Sequence, residues 1–97
     1  VYQQGQSWTS PLLILRALPN DLPHSRFGFT TSKHLGPIVA RNRAKRLMRE
    51  AVRLRVERVA AGWDFVFLAR ARTRGATMQE VAASVERLLQ AARLWTE

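Results

Sequence analysis

The 97-residue chain contains no cysteine, which excludes disulfide frameworks, thiolate chemistry and zinc sites built on sulfur. Acidic residues are scarce: seven Asp and Glu stand against sixteen Lys and Arg, a formal charge of +9. No apolar stretch approaches the roughly 20 residues that span a bilayer, and no signal or transit sequence opens the chain. The expectation is therefore a cytoplasmic protein with no membrane association. The first residue is Val1 rather than methionine, which leaves room for upstream residues. Neither GxxxxGK[ST] nor GxGxxG occurs, so the two common glycine-rich phosphate loops are missing. His24 and His34 lie ten residues apart with no carboxylate pair beside them, and Asp21 and Asp64 stand isolated in the sequence. The five glutamates fall in helical segments or at the C-terminus, and Ser7, Ser10, Ser25, Ser32 and Ser84 have no partner base in sequence reach. The chain is not expected to break bonds by itself.

What is present is enough apolar residue for a core, 46% of the chain. At this length that implies one domain over residues 1–97. The positive charge is almost all arginine, fourteen to two lysines, and it is clustered. Residues 41–58 hold Arg41, Arg43, Lys45, Arg46, Arg49, Arg53, Arg55 and Arg58 against Glu50 and Glu57 alone. Arginine's planar fork suits bidentate phosphate contacts and stacking on bases. Cations this dense repel one another unless an anion relieves them.

The pattern along the chain predicts a helix tail over Val1–Gln4 closed by Gly5, then a strand-compatible run from Trp8 to Ala17 with Pro11 near its start. Pro19 to Pro23 reads as a turn. Arg26 to Ser32 alternates strictly: Phe27, Phe29 and Thr31 face one side, while Arg26, Gly28, Thr30 and Ser32 face the other. Gly36-Pro37 opens a helix from about Ile38 to Ala60, roughly 30 Å long at 1.5 Å per residue. Its apolar stripe is Ala44, Leu47, Met48, Ala51, Val52 and Val59, with Arg46, Arg49 and Arg53 on the opposite face. Gly62 is expected to end that helix, Trp63 to Arg70 reads as a buried strand, and Arg70 to Gly75 as a basic loop. Thr77 and Glu80 form a capping box for a last helix bearing Met78, Val81, Ala82, Val85, Leu88, Leu89 and Ala92 on one face. The expected fold class is α+β: a mixed sheet with helices on one side and the other sheet face open.

A helix so charged suits either the major groove of DNA or a structured RNA. The open strand face with Thr30 and Ser32 suits single strands and 2′-hydroxyls.

The stretch Arg26-Phe27-Gly28-Phe29-Thr30-Thr31-Ser32-Lys33-His34-Leu35-Gly36, followed by Arg41-Asn42-Arg43-Ala44-Lys45-Arg46-Leu47-Met48-Arg49-Glu50, resembles the protein subunit of bacterial ribonuclease P. The likeness extends to Val1-Tyr2 and Gly5 upstream, and to Asp64-Phe65-Val66 and Ala69-Arg70 downstream. It implies a two-layer α/β sandwich in the order (α)ββαβα, with a left-handed strand-helix-strand crossover against the general rule. It implies an RNA-binding subunit that joins a catalytic RNA in removing the 5′ leader of precursor tRNA. The RNA would hold Mg2+ and perform the phosphodiester hydrolysis. By the matching positions Lys33, Arg41, Asn42, Arg43, Lys45, Arg46 and Arg49 would contact the catalytic RNA. Tyr2, Arg16, Arg26, Thr30 and Ser32 would line a cleft for the leader strand. No obligate protein partner is expected beyond ribonuclease P RNA and precursor tRNA.

Three departures from the family pattern matter. Most of the first helix and a basic stretch before Tyr2 are missing, so the N-terminal helix is expected to be truncated. Arg16 stands where relatives often carry an aromatic, and His34 replaces the usual second lysine. The competing readings are a purely structural RNA-binding module, such as a ribosomal protein, and a sequence-specific DNA binder.

Overall fold

The computed structural model describes residues 6–95; the helix tail expected at Val1–Gln4 lies outside them. Four strands and two long helices follow one another as β1 (Gln6–Thr9), β2 (Leu13–Pro19), β3 (Arg26–Thr31), α1 (Ile38–Arg53), β4 (Trp63–Ala69) and α2 (Met78–Ala91). Short 3-10 turns occupy Lys33–Leu35, Val56–Arg58 and Ala71–Thr73. The sheet order is β1-β2-β4-β3. β1 to β2 and β2 to β4 are antiparallel, while β3 and β4 are parallel, joined across α1.

The run read as one strand from Trp8 to Ala17 is split into β1 and β2. Ser10 closes the connection between them: its Oγ accepts from the Leu13 N–H at 3.0 Å and donates to the Leu13 carbonyl at 3.2 Å. Pro11, which has no N–H to give a sheet ladder, stands exposed in that turn. Thr73, fully buried, donates from Oγ1 to the Leu12 carbonyl at 2.7 Å and ties the 71–73 turn to the same corner.

Alternation decides the two sheet faces. Leu13, Leu15 and Ala17 on β2 and Phe65, Phe67 and Ala69 on β4 are buried under the helices. Phe27 stacks on Phe65 with ring centroids 5.3 Å apart, and Phe29 on Phe67 at 6.1 Å, because the parallel register aligns them. Helix α1 adds Ala44, Met48, Ala51 and Val52 to this core; α2 adds Val81, Ala82, Val85, Leu88 and Leu89. The Thr77–Glu80 capping box is formed, with the Thr77 hydroxyl accepting from the Glu80 N–H at 3.2 Å.

Helix α1 is shorter than its pattern suggests. It ends at Arg53 with Leu54 as the cap residue, giving about 24 Å rather than 30 Å. Two tertiary contacts draw the chain away. Arg55 turns back to the Ala51 carbonyl and across to Glu86 of α2, and Val59 forms an antiparallel bridge with Trp95. Val59 therefore packs beside the core from outside the helix, and Gly62, at φ +91°, serves the turn into β4 instead.

Candidate nucleic-acid interface

The first face to consider is the solvent side of α1. Positions three and four apart share a helix face, so burial of Ala44, Met48 and Ala51 turns Asn42, Arg46, Arg49 and Arg53 outward, and all four are exposed. Their surroundings differ. Arg46 has no protein partner among the described residues, and neither has the half-buried Lys45. Arg43 donates from Nη2 to the carbonyl of buried Ala76 at 2.8 Å, tying α1 to the segment ahead of α2. Arg49 lies over the Phe29 ring, 5.7 Å from its centroid. Arg53 forks onto Glu50, and this pair draws the Glu50 carboxyl below its usual range. Arg41 is half-buried, and its Nε is enclosed without a hydrogen-bond partner among the described residues.

Glu50 and Glu57 are not the only counter-charges, as the sequence had suggested. Glu86 of α2 accepts from Arg55 Nε at 2.7 Å, a pairing across 31 residues that no local pattern announces. Even so, the N-terminal two-thirds of α1 presents uncompensated cations, and its first turn contains no acidic residue. Exposed Lys33 precedes it on the 33–35 turn, which packs against the 71–73 turn. Arg72 and Arg74 of the basic loop are both exposed there, and neither was singled out from sequence. A Cβ added to Gly36 would stand 2.7 Å from Arg74 Nη1, so the guanidinium reaches the entrance of α1.

The second face is the uncovered side of the sheet. Strand register arranges it in rows across β1, β2, β4 and β3: Thr9–Ile14–Leu68–Thr30, then Ser7–Arg16–Val66–Gly28, then Leu18–Asp64–Arg26. Arg16 and Thr30 are exposed on it, and Arg16 has no polar partner among the described residues. Val66, at 41% exposure, lies bare between Arg16 and the side-chain-free Gly28. The whole face is thus less polar than β3 alone implied.

Arg26 is not a free cation. Its Nη2 lies 2.6 Å from Asp64 Oδ2 and its Nε 2.8 Å from Oδ1, where Asn20 Nδ2 also donates at 2.9 Å. These hydrogen bonds, Arg26 first and Asn20 second, hold the Asp64 carboxyl down to about 2. Asp64, isolated in sequence, is brought to Arg26 by the parallel register of β3 on β4. Ser32 has left the strand: β3 ends at Thr31, and the Ser32 Oγ accepts from the His34 N–H at 3.1 Å as the cap of the 33–35 turn. Tyr2 lies outside the described residues.

No three His, Asp or Glu side chains among the described residues gather closely enough to hold a metal ion. Among the described residues no helix is long and apolar enough to cross a membrane.

Two cation-bearing faces on one small α+β scaffold match a known family. The Ribonuclease P profile aligns with residues 1–93. This chain belongs to that family. The ribonuclease P protein component of Herpetosiphon aurantiacus is 42% identical over 95 residues, covering 98% of this chain and 77% of that protein. That of Roseiflexus castenholzii is 44% identical over 93 residues, covering 95% and 76%. The Staphylococcus aureus ribonuclease P protein superposes with a TM-score of 0.84 at 27% identity, over 95% of this chain and 84% of that one. The Thermotoga maritima protein shares the fold, with a TM-score of 0.83 at 23% identity over 91% and 84%. Membership gives the chain a role in ribonuclease P, as an RNA-binding protein component in tRNA processing.

Proposed function

We propose that the chain is the non-catalytic protein subunit of a ribonucleoprotein ribonuclease P, binding a catalytic RNA through α1 and the 5′ leader of precursor tRNA across the open sheet face. The observation that carries this reading is the outer face of α1, where the cations Arg46 and half-buried Lys45, with the neutral amide of Asn42 beside them, have no partner among the described residues, while Ala44, Met48, Ala51 and Val52 on the other side are buried in the core. Family membership supports ribonuclease P RNA as that partner. Arg41, Arg43 and Arg49 flank the stripe, and Lys33 extends it ahead of the helix. Arg43 and Arg49 keep guanidinium N–H groups beyond those they use on Ala76 and Phe29.

On the sheet, Arg16 and Thr30 offer a phosphate partner and a hydroxyl, and Val66 with Ile14 and Leu68 offers an apolar floor for bases. Arg26 contributes less than an unpaired arginine, since Asp64 already neutralises it. Tyr2 and the Ser32 hydroxyl complete the leader contacts in this reading. Phosphodiester hydrolysis and the Mg2+ that assists it belong to the RNA. The protein lowers phosphate repulsion between ribozyme and substrate and so strengthens precursor binding and, indirectly, metal occupancy.

The test is precursor-tRNA cleavage by ribonuclease P RNA at low magnesium, with and without this chain. Stimulation by the protein is expected. No stimulation, or leader removal by the purified protein with all RNA excluded, would overturn the proposal.

A further inference from the structure

Ile38 and Val39 open α1 and are the most exposed large aliphatic side chains among the described residues, at 62% and 73%. Scattered surface aliphatics need no explanation. This pair differs in position: two adjacent β-branched residues occupy a helix start, where acidic or small polar side chains would suit the backbone better. Helical spacing sets Val39 in line with Asn42, Arg43 and Arg46, and Ile38 in line with Arg41, Asn42 and Lys45. Lys33 and His34 lie just ahead of them. The outer face of α1 is therefore an apolar tip continued by cations.

That surround selects the occupant. Two copies of a +9 chain meeting here would bring like charges together. A polyanion is drawn in, and RNA carries apolar surface of its own in the faces of unstacked bases and riboses. Resting on the reading that α1 docks on the catalytic RNA, we infer that Ile38 and Val39 form a dry contact with an unstacked base or ribose of that RNA. This contact adds affinity that salt does not screen.

The experiment is equilibrium binding of ribonuclease P RNA over a series of salt concentrations, comparing the chain with Ile38→Ser/Val39→Ser. The expected result is about tenfold weaker binding at every salt concentration. The slope of log K against log salt stays unchanged, because no phosphate contact is lost. An Ile38→Leu/Val39→Met variant should restore the affinity, and all three proteins should melt alike. Equal affinity of the serine variant, or a loss seen only as a changed slope, would overturn the inference while leaving α1 as the dock. So would self-association of the parent chain that the serine pair abolishes without altering RNA affinity. Failure of the parent chain itself to bind the RNA would overturn the underlying reading as well.

Discussion

Arg43 and Arg46 are neighbours on α1, yet substituting each with alanine should have separable consequences. Arg46 has no hydrogen-bond, ion-pair or ring partner among the described residues. Alanine is the better helix former, so Arg46→Ala should leave stability within about 0.5 kcal/mol of the parent. Its cost should appear in RNA binding: each phosphate contact contributes about 0.9 to the slope of log K against log salt on duplex and about 0.7 on single strands. Removing one contact should flatten the slope by that amount.

Arg43 carries a second burden, the 2.8 Å hydrogen bond to the Ala76 carbonyl that joins α1 to the start of α2. Solvent reaches this bond, so its net worth is about 1 kcal/mol, below the range for a buried charged donor. For a domain of this size that lowers Tm by roughly 4–8 °C. The double variant should therefore flatten the salt slope by about 1.4–1.8 but melt no lower than Arg43→Ala alone. Thermal denaturation and filter binding over a salt series measure the two effects independently. An unchanged slope in folded Arg46→Ala would remove that side chain from the interface. Equal melting of the two single variants would refute the tether to Ala76.

Three further outcomes can be checked. Met48 is fully buried, so Met48→Ala should cost about 2–5 kcal/mol in urea denaturation, with half-buried Leu47→Ala costing clearly less; equal losses would refute the burial pattern. Gly36 has φ +142° and ψ −162°, a conformation essentially restricted to glycine, so Gly36→Ala should cost about 1–3 kcal/mol. The neighbouring Arg74 guanidinium is a flexible end, so adding Arg74→Ala should recover little, and full recovery would show that the clash rather than the backbone mattered. The Asp64 carboxyl is held at about 2, below its ordinary 3.8, by Arg26 and Asn20. A depressed folded-state value stabilises fully above the ordinary one and is lost as pH falls through about 2. Stability of the parent should thus fall more steeply than that of Asp64→Asn on acidification below roughly pH 4, and parallel curves would remove the Arg26–Asp64 contact as a contributor.

The boundary between what was legible and what was not follows the range of the interactions. Alternation from Arg26 to Thr31 in β3, the apolar stripe of α1 from Ala44 to Val52 and the Thr77–Glu80 cap are local patterns with a fixed period or spacing, and they appear in the structure as read. The outward placing of the α1 cations was legible for the same reason: a helical period that commits one face to the core leaves the other outside. Local pattern did not announce where α1 stops, because Arg55 and Val59 are drawn away by Glu86 and Trp95, residues far along the chain. Nor did it separate β1 from β2 within one apolar run.

By itself, then, the sequence determined the charge, the periods and the motif that names the family. Tertiary structure alone decided which cations remain free. Parallel pairing of β3 with β4 delivers Asp64 to Arg26, packing of α2 on α1 delivers Glu86 to Arg55, and Arg43 finds Ala76 from 33 residues away. The energy of an ion pair or a hydrogen bond depends on separation in space, which residue order does not encode until the chain has closed on its core.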